Sequence, residues 1–554
     1  PSLHCVVAHE RGKWTDVIAK SALALISHAL AAGVLERPMP LLRGLAKSYR
    51  AANLEREWEF TLEKLVEIDP GAIGEFEQLA RLRKGRGDLE GALRVLTEAA
   101  AANPEQPAFH NLKGTILAAL GRPEQAIDAY RQGLACAPDA VDLNNNIATS
   151  LRTLGRLDEA LDHYLKAERD QPDRLQTLLN IGGCLTELGQ TEAALARFDR
   201  LVQLDPENVE GHYNRAQTLL TIGRFPEGWR EFQWRWRRSE ANVKPDFFPQ
   251  PLWSGEDISG KGVLVYTEQG IGDEILVAGF IPQLTKRAGR LVLLASERLV
   301  PLFRRSFPDV TVAHRTEPLP PEASASDLAV QMSFSELGAC LRPSFANFPE
   351  ANGFLRADEE LTRKLRTRYK DQADGRPLIG ISWRSANPAI GLRKSAVLED
   401  FRPILRTADA TFVNLQYGDT VSEREQLSRA EGIRILHDPD VDPLRNMDAA
   451  AAQIAALDLV ISVSNTTVHT AGALGVPTWT LLSANHGGLW YWFRQFDKSP
   501  WYPGMRLYRS SAERQWDKVI ADMAGDLPKF LAQLAAPVYS AEPVPRSPGP
   551  GKAT

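Results

Sequence analysis

The chain has 554 residues, of which 44% are hydrophobic, 24% charged and 8% aromatic; this ordinary globular composition excludes collagen-like, largely disordered and disulfide-framework proteins. At about 150 residues per domain, the length predicts three to four domains. A formal net charge of −5 offers no basic excess to neutralise a phosphate backbone, which argues against a nucleic-acid-binding protein.

Near the start, the most apolar run, Ala22 to Val34, contains His28 and falls short of the roughly 20 residues that cross a bilayer. Glu10, Arg11, Lys13 and Asp16 precede it without a clear small-residue cleavage site, so it does not read as a signal peptide, and a cytoplasmic protein is expected. Cys5, Cys136, Cys184 and Cys340 are far apart and lack metal-ligand spacing. They are expected to be small buried apolar side chains, with no metal site.

From residue 39 an internal period governs the chain. Pro70, Pro104, Pro138, Pro172 and Pro206 recur every 34 residues, and Gly87, Gly121, Gly155, Gly189 and Gly223 keep the same interval. The glycines stand where a tight turn between two helices needs a residue without Cβ. Ala92, Ala126, Ala160 and Ala194 mark the close approach of paired helices, and Tyr130, Tyr164, Phe198 and Phe232 follow where a gap between repeats is to be filled. This pattern resembles the tetratricopeptide repeat, with about six units from 39 to about 240, the first degenerate. The resemblance implies an α-solenoid with a concave surface that binds a peptide or protein. Asn146, Asn180 and Asn214 share one repeat position. Their carboxamides offer both donor and acceptor to an extended acceptor peptide, although asparagine is also simply frequent there.

A linker over 241–260 follows. Trp234, Trp236, Phe247, Phe248 and Trp253 are too apolar for a floppy tether and are expected to pack against something. Beyond it, apolar runs at Val263–Tyr266, Leu291–Leu294, Leu378–Ser382, Thr411–Leu415, Leu459–Val463 and Thr478–Leu482 alternate with amphipathic stretches, predicting parallel α/β units. The pattern restarts near 376, after a charged helix from Asp358 to Gln372. Two Rossmann-like lobes are therefore expected, over 261–375 and 376–535.

Three loops carry candidate chemistry. "YTEQGIGDEILVAGF" puts Gly270 and Gly272 in a strand-turn-helix, without the third glycine of a dinucleotide fingerprint. Asp273 starts its helix, with Glu268 and Glu274 as competing carboxylates; an Asp here is either a general base or a cap of its own helix. "GISWRSANPAIGLRK" sets Arg384, Arg393 and Lys394 beyond a strand end, where cations can stabilise a departing phosphate, or stand as solvated surface charge. "LVISVSNTTVHTAGALG" ends a strand in Ser464, Asn465, Thr466 and Thr467 and opens a helix bearing His469 and Gly472. Such a helix start suits a phosphate or diphosphate, though small polar residues also cap ordinary turns. Gln416 and Tyr417 end another strand and are candidates to line a nucleotide pocket. Trp490, Trp492, Trp501 and Tyr502 could stack on a base, although such density more often marks core.

These loops resemble the heptosyltransferase-like glycosyltransferases of the GT-B architecture. The resemblance implies that Asp273 is the general base, that the His469 segment binds the donor phosphate, and that the chemistry is metal-independent. Asn465 departs from the family's usual Asp. Joined to the repeats, the whole is similar to bacterial tetratricopeptide-bearing flagellin glycosyltransferases. That likeness implies a protein O-glycosyltransferase moving a nonulosonic acid from a CMP-linked nucleotide sugar to Ser or Thr, with no cofactor and with flagellin or another secreted-appendage protein as partner. Two other readings stay open: a heptosyltransferase-like enzyme of lipopolysaccharide or glycan assembly, and a non-catalytic repeat scaffold. The expected organisation is a helical cap over 1–38, a solenoid over 39–240, the linker, two lobes, and a disordered Pro- and Ser-rich tail over 536–554.

Overall fold

A computed structural model of the chain describes residues 38–238, 247–267, 270–350, 353–387, 391–407, 409–483, 489–510 and 515–535. The expected cap up to residue 37, Cys5, linker residues 241–246, Glu268 and the expected tail over 536–554 lie outside the described residues.

The 34-residue period becomes a series of helix pairs, beginning with Pro38–Ala51 and Glu55–Ile68 and ending with Val209–Thr221 and Phe225–Phe232. All five turn glycines have positive φ, from 72° at Gly121 to 82° at Gly87 and Gly223, the left-handed region that an L side chain enters at a cost. Ala92, Ala126, Ala160 and Ala194 are wholly buried, as is Tyr164, and Tyr130, Phe198 and Phe232 are nearly so. Small residues thus let paired helices touch, and large rings close the gap.

The chain divides into two compact units, one of Pro1–Leu188 with Gln203–Asp205, the other of Gly189–Val202 with Pro206–Thr554. In the first unit, a continuous apolar core runs from Leu42 through Leu65, Leu79 and Leu96 to Phe109 and Ile116. Asn146 donates to Asn111 Oδ1 at 2.7 Å, and Asn180 accepts from Gln176 at 3.0 Å. Cys184 is buried, but Cys136 is exposed and Cys340 intermediate, so the expectation of uniformly buried thiols holds for Cys184 alone among the described cysteines. Cys136 ends a helix, where the register turns it outward.

The second unit holds two parallel sheets. The first comprises β1 (Gly262–Tyr266), β2 (Arg290–Ala295), β3 (Thr311–His314) and β4 (Leu328–Met332), in the order β3-β2-β1-β4. The second comprises β5 (Leu378–Ser382), β6 (Thr411–Asn414), β7 (Ile435–Leu436), β8 (Leu459–Val463), β9 (Thr478–Leu482) and β10 (Met505–Arg509), in the order β10-β9-β8-β5-β6-β7. Both sheets are buried on both faces, as parallel sheets are. Val263 and Val265 belong to one core cluster, while Leu264 and Tyr266 belong to another. Each sheet grows in one direction and then restarts on the other side of its founding strand. The switch points lie between β1 and β4 and between β5 and β8, and ligands bind beyond the carboxyl ends of strands at such points.

Within this unit the helix pair Val209–Thr221 and Phe225–Phe232 shares a core with the first sheet. Trp229 stacks edge-on to Trp490 at 5.2 Å and donates through Nε1 to the Arg342 carbonyl at 3.2 Å. The bidentate pair of Arg305 with Asp448, at 2.6 and 2.7 Å, joins helix Val300–Ser306 of the first sheet to helix Met447–Ala455 of the second. Of the aromatic residues after the repeats, Phe248 and Trp253 are buried, Trp236 meets the Tyr266 ring, and Trp234 stacks on His212 at 3.8 Å. Phe247 is exposed.

Candidate active site

The loop after β1 leads into helix Ile271–Ala278, with Gly270 at its N-cap and Asp273 in its first turn. Asp273 is partly buried, and its Oδ2 lies 3.6 Å from the point that a Cβ on Gly270 would occupy. Its neighbour Glu274 is 1% exposed and turned into the lobe, where its carboxylate accepts from the Ser296 backbone N–H at 2.9 Å and from the Ser296 hydroxyl. Glu274 thus fastens the end of β2 and is separated in role from Asp273.

After β8, helix Thr466–Leu474 begins with Asn465 as its N-cap. The Asn465 amide makes four hydrogen bonds, one of them accepted by its oxygen from Ser462 Oγ at 3.2 Å. Its oxygen also accepts from the Thr467 N–H at 3.0 Å, while its NH2 donates to Ser382 Oγ at 2.8 Å and to the Arg384 carbonyl at 3.1 Å. An aspartate has no hydrogen to give the Arg384 carbonyl. The ends of β5 and β8 are therefore tied together by an amide, through hydrogen bonds of which an ionised carboxylate could not donate any. Ser464 is buried and accepts from Trp492 Nε1 at 3.0 Å; Thr466 is partly exposed and Thr467 buried.

His469, one turn into that helix, is 3% exposed. Its Nδ1 lies 3.1 Å from the Tyr502 hydroxyl and its Nε2 3.5 Å from that of Tyr491. The ring stacks on Trp492 at 5.2 Å. Burial, aided by the Lys394 charge, holds its pKa down at about 3, so the imidazole is neutral. A Cβ added to Gly272 would stand 2.9 Å from His469 Cδ2, and one added to Gly472 would strike the Tyr502 ring at 2.6 Å. Both glycines are therefore spaces that aromatic rings fill. Helix Ile271–Ala278 of the first sheet and helix Thr466–Leu474 of the second pack together at this point.

Lys394 is 6% exposed. Burial lowers its pKa to about 8, with Asp273 opposing the shift, so a cation stands near the Asp273 carboxylate. Burial raises the Tyr491 and Tyr502 hydroxyls well above their ordinary range, and the Asp273 charge adds to both. Asp273, Lys394, His469, Tyr491 and Tyr502 thus form one electrostatically coupled group at the meeting of the two switch points. Tyr491 carried no signal of its own in the sequence. Neither did Tyr213, on helix Val209–Thr221, whose hydroxyl is raised by burial and further by Asp273, against the Arg238 charge.

The remaining candidates fall around this group rather than in it. Arg384 pairs with Glu423 at 2.8 Å. Gln416 is buried, and its oxygen accepts from Ser382 Oγ and the N–H groups of Trp383 and Arg384, between 2.7 and 3.1 Å, so it shapes the turn after β5. The Tyr417 hydroxyl accepts from the Ala386 N–H. Arg393 is partly exposed on helix Gly391–Lys394. Trp490, Trp492 and Trp501 are all buried, as core aromatics are. Asn214 donates to the Glu210 carbonyl at 2.8 Å. Among the described residues no cluster of His, Cys, Asp and Glu suits a metal ion, and no helix is long and apolar enough to cross a membrane.

A tetratricopeptide array with a two-sheet parallel α/β region is the class that these elements define. The family described as Tetratricopeptide repeat matches residues 78–141, 121–174 and 145–201, and that described as TPR repeat matches 184–223. A curated relative, Protein FlbA of Caulobacter vibrioides, is 32% identical over 334 residues, which take in 58% of this chain and 55% of the relative. The chain thus spans about half the length of the curated relative it matches. Solved structures similar to parts of the chain include YrrB, a TPR protein with an unusual peptide-binding site (18% identity, TM-score 0.29, covering 34% of this chain and 95% of that one). Another is PilW, a type IV pilus biogenesis factor (16%, 0.33, 37% and 97%). TTC0263, a thermophilic TPR protein of Thermus thermophilus, is a third (18%, 0.28, 33% and 99%).

Proposed function

We propose that the chain is a bacterial protein O-glycosyltransferase of GT-B type. In this reading the repeats recruit a protein acceptor, flagellin, and the two α/β lobes transfer a nonulosonic acid from a CMP-linked donor to a Ser or Thr hydroxyl. The observation that carries it is the approach of Gly272 to His469, which brings the loop bearing Asp273 and the phosphate-suited helix start at Thr466 from different sheets to one place. Asp273 takes the proton of the acceptor hydroxyl as its oxygen attacks the anomeric carbon. The bond from that carbon to the donor phosphate breaks, and the nucleotide leaves with the bonding pair. The turn from Ser464 to Thr467 and the start of its helix hold the phosphate, and the Lys394 charge offsets the negative charge that develops.

The test is to incubate the purified chain with a CMP-activated nonulosonic acid and flagellin and to weigh flagellin intact. The expected result is a mass gain of one or more sugar residues, reduced at least 100-fold in rate in Asp273→Asn. No gain with any activated sugar of a panel would refute the assignment.

A further inference from the structure

The His469 ring is 3% exposed, and protein groups meet both of its nitrogens. Nδ1 meets Tyr502, Nε2 faces Tyr491, one face stacks on Trp492, and Cδ2 lies against Gly272. A neutral imidazole has one N–H and one lone pair. With a hydroxyl at each nitrogen, one tyrosine donates, the other accepts, and no ring N–H is left for a phosphate. The surroundings are equally committed. Gly472 lacks the Cβ that would exclude Tyr502. Arg509 donates to the carbonyls of Trp492 and Phe493, each at 2.7 Å, and so holds the segment that carries Tyr491 and Trp492. At the far end of the helix, the Ala473 carbonyl accepts from the N–H groups of Phe354 and Leu355, at 2.7 and 2.9 Å.

We propose that His469 is a positioning residue which does not touch the donor. Gripped by Tyr491 and Tyr502, its ring is the surface on which the Gly270–Asp273 loop rests, and it fixes where the Asp273 carboxylate stands relative to the Ser464–Thr467 turn. The inference rests on the proposed transfer reaction for its catalytic meaning, but its geometry can be tested separately. Shape and hydrogen bonding are both needed: the ring fills the space that Gly272 leaves open, and the hydroxyls stop it turning.

The test uses the full chain and the variants His469→Phe, Tyr502→Phe and Gly272→Ala. Amide hydrogen exchange at Ile271–Glu274 is expected to rise at least 10-fold in each, with the cores of both sheets unchanged. With CMP-linked sugar and flagellin, kcat falls 10- to 100-fold while donor KM and the Kd for CMP stay within about 2-fold. Unchanged exchange at Ile271–Glu274 in His469→Phe and Tyr502→Phe would overturn the proposal, and so would a 10-fold loss of CMP affinity in either. Absence of transfer by the unaltered chain would instead remove the proposed function, and the exchange measurement would still decide the role of His469. Tyr502→Phe keeps its ring over Gly472 and serves if His469→Phe fails to fold.

Discussion

Asn465 shows what one atom does at a strand end. Replacing its NH2 by oxygen in Asn465→Asp removes the hydrogen bond given to the Arg384 carbonyl and sets two acceptors face to face in a buried place. A lost partner of this kind costs about 1–3 kcal/mol, so the urea midpoint of the second unit should fall while the slope stays constant; an unchanged midpoint would show that the amide is dispensable. His469 makes a second residue-scale point. Its folded pKa of about 3 lies below the ordinary value near 6.5, so on acidification the unfolded chain takes up a proton that the folded chain refuses. Stability contributed by the neutral ring is complete above about pH 6.5 and is lost as pH falls toward 3, amounting to about 3 kcal/mol between pH 7 and 4. His469→Phe lacks that loss, so its fall in melting temperature over the same range should be smaller than that of the unaltered chain.

At the scale of elements, the turn glycines separate backbone strain from packing. Gly121, with φ of 72°, has nothing within 4 Å of where a Cβ would stand, whereas a Cβ on Gly114 would meet the Tyr130 ring at 2.4 Å. Gly121→Ala therefore costs only the left-handed conformation, about 1 kcal/mol, and Gly114→Ala costs more, because a fully packed ring has to move. Chemical denaturation of the two variants should rank them in that order. The repeats were legible because their signals are periodic. A proline, a glycine, an alanine and a ring return at fixed spacing, and each return repeats the same packing problem. Strand positions in the second half were legible for a related reason, since buried parallel strands are unbroken apolar runs: β5, β8 and β9 have the predicted bounds. The short strands β3 and β7 and the edge strands β4 and β10 gave no such run and were not foreseen. Nor could spacing along the chain reveal that Glu274 turns inward to Ser296, that Gln416 is used up by three donors, or that Tyr491 reaches His469. Those facts depend on which segments the fold brings together, and Gly272 and Gly472, which mark the contacts, look like any other loop or helix glycine until the rings beside them are seen.

Across the second unit, the helix Phe225–Phe232 is as much a part of the α/β core as of the repeats. Trp229 is 1% exposed and touches Phe334, Trp490 and Phe232. The Trp490 side of this cluster continues directly into Tyr491 and Trp492 beside His469.

That shared core has a temporal meaning. Its members run from Ala216 to Leu507, so the last pieces are made almost three hundred residues after the first. A nascent chain can close helix pairs of the first unit as they leave the ribosome, because each contact is local, but the aromatic cluster has to wait for β10. Until then Phe225 and Trp229 are exposed on a half-built surface. During synthesis, the unit that carries the candidate chemistry is therefore the one that most needs shelter from aggregation.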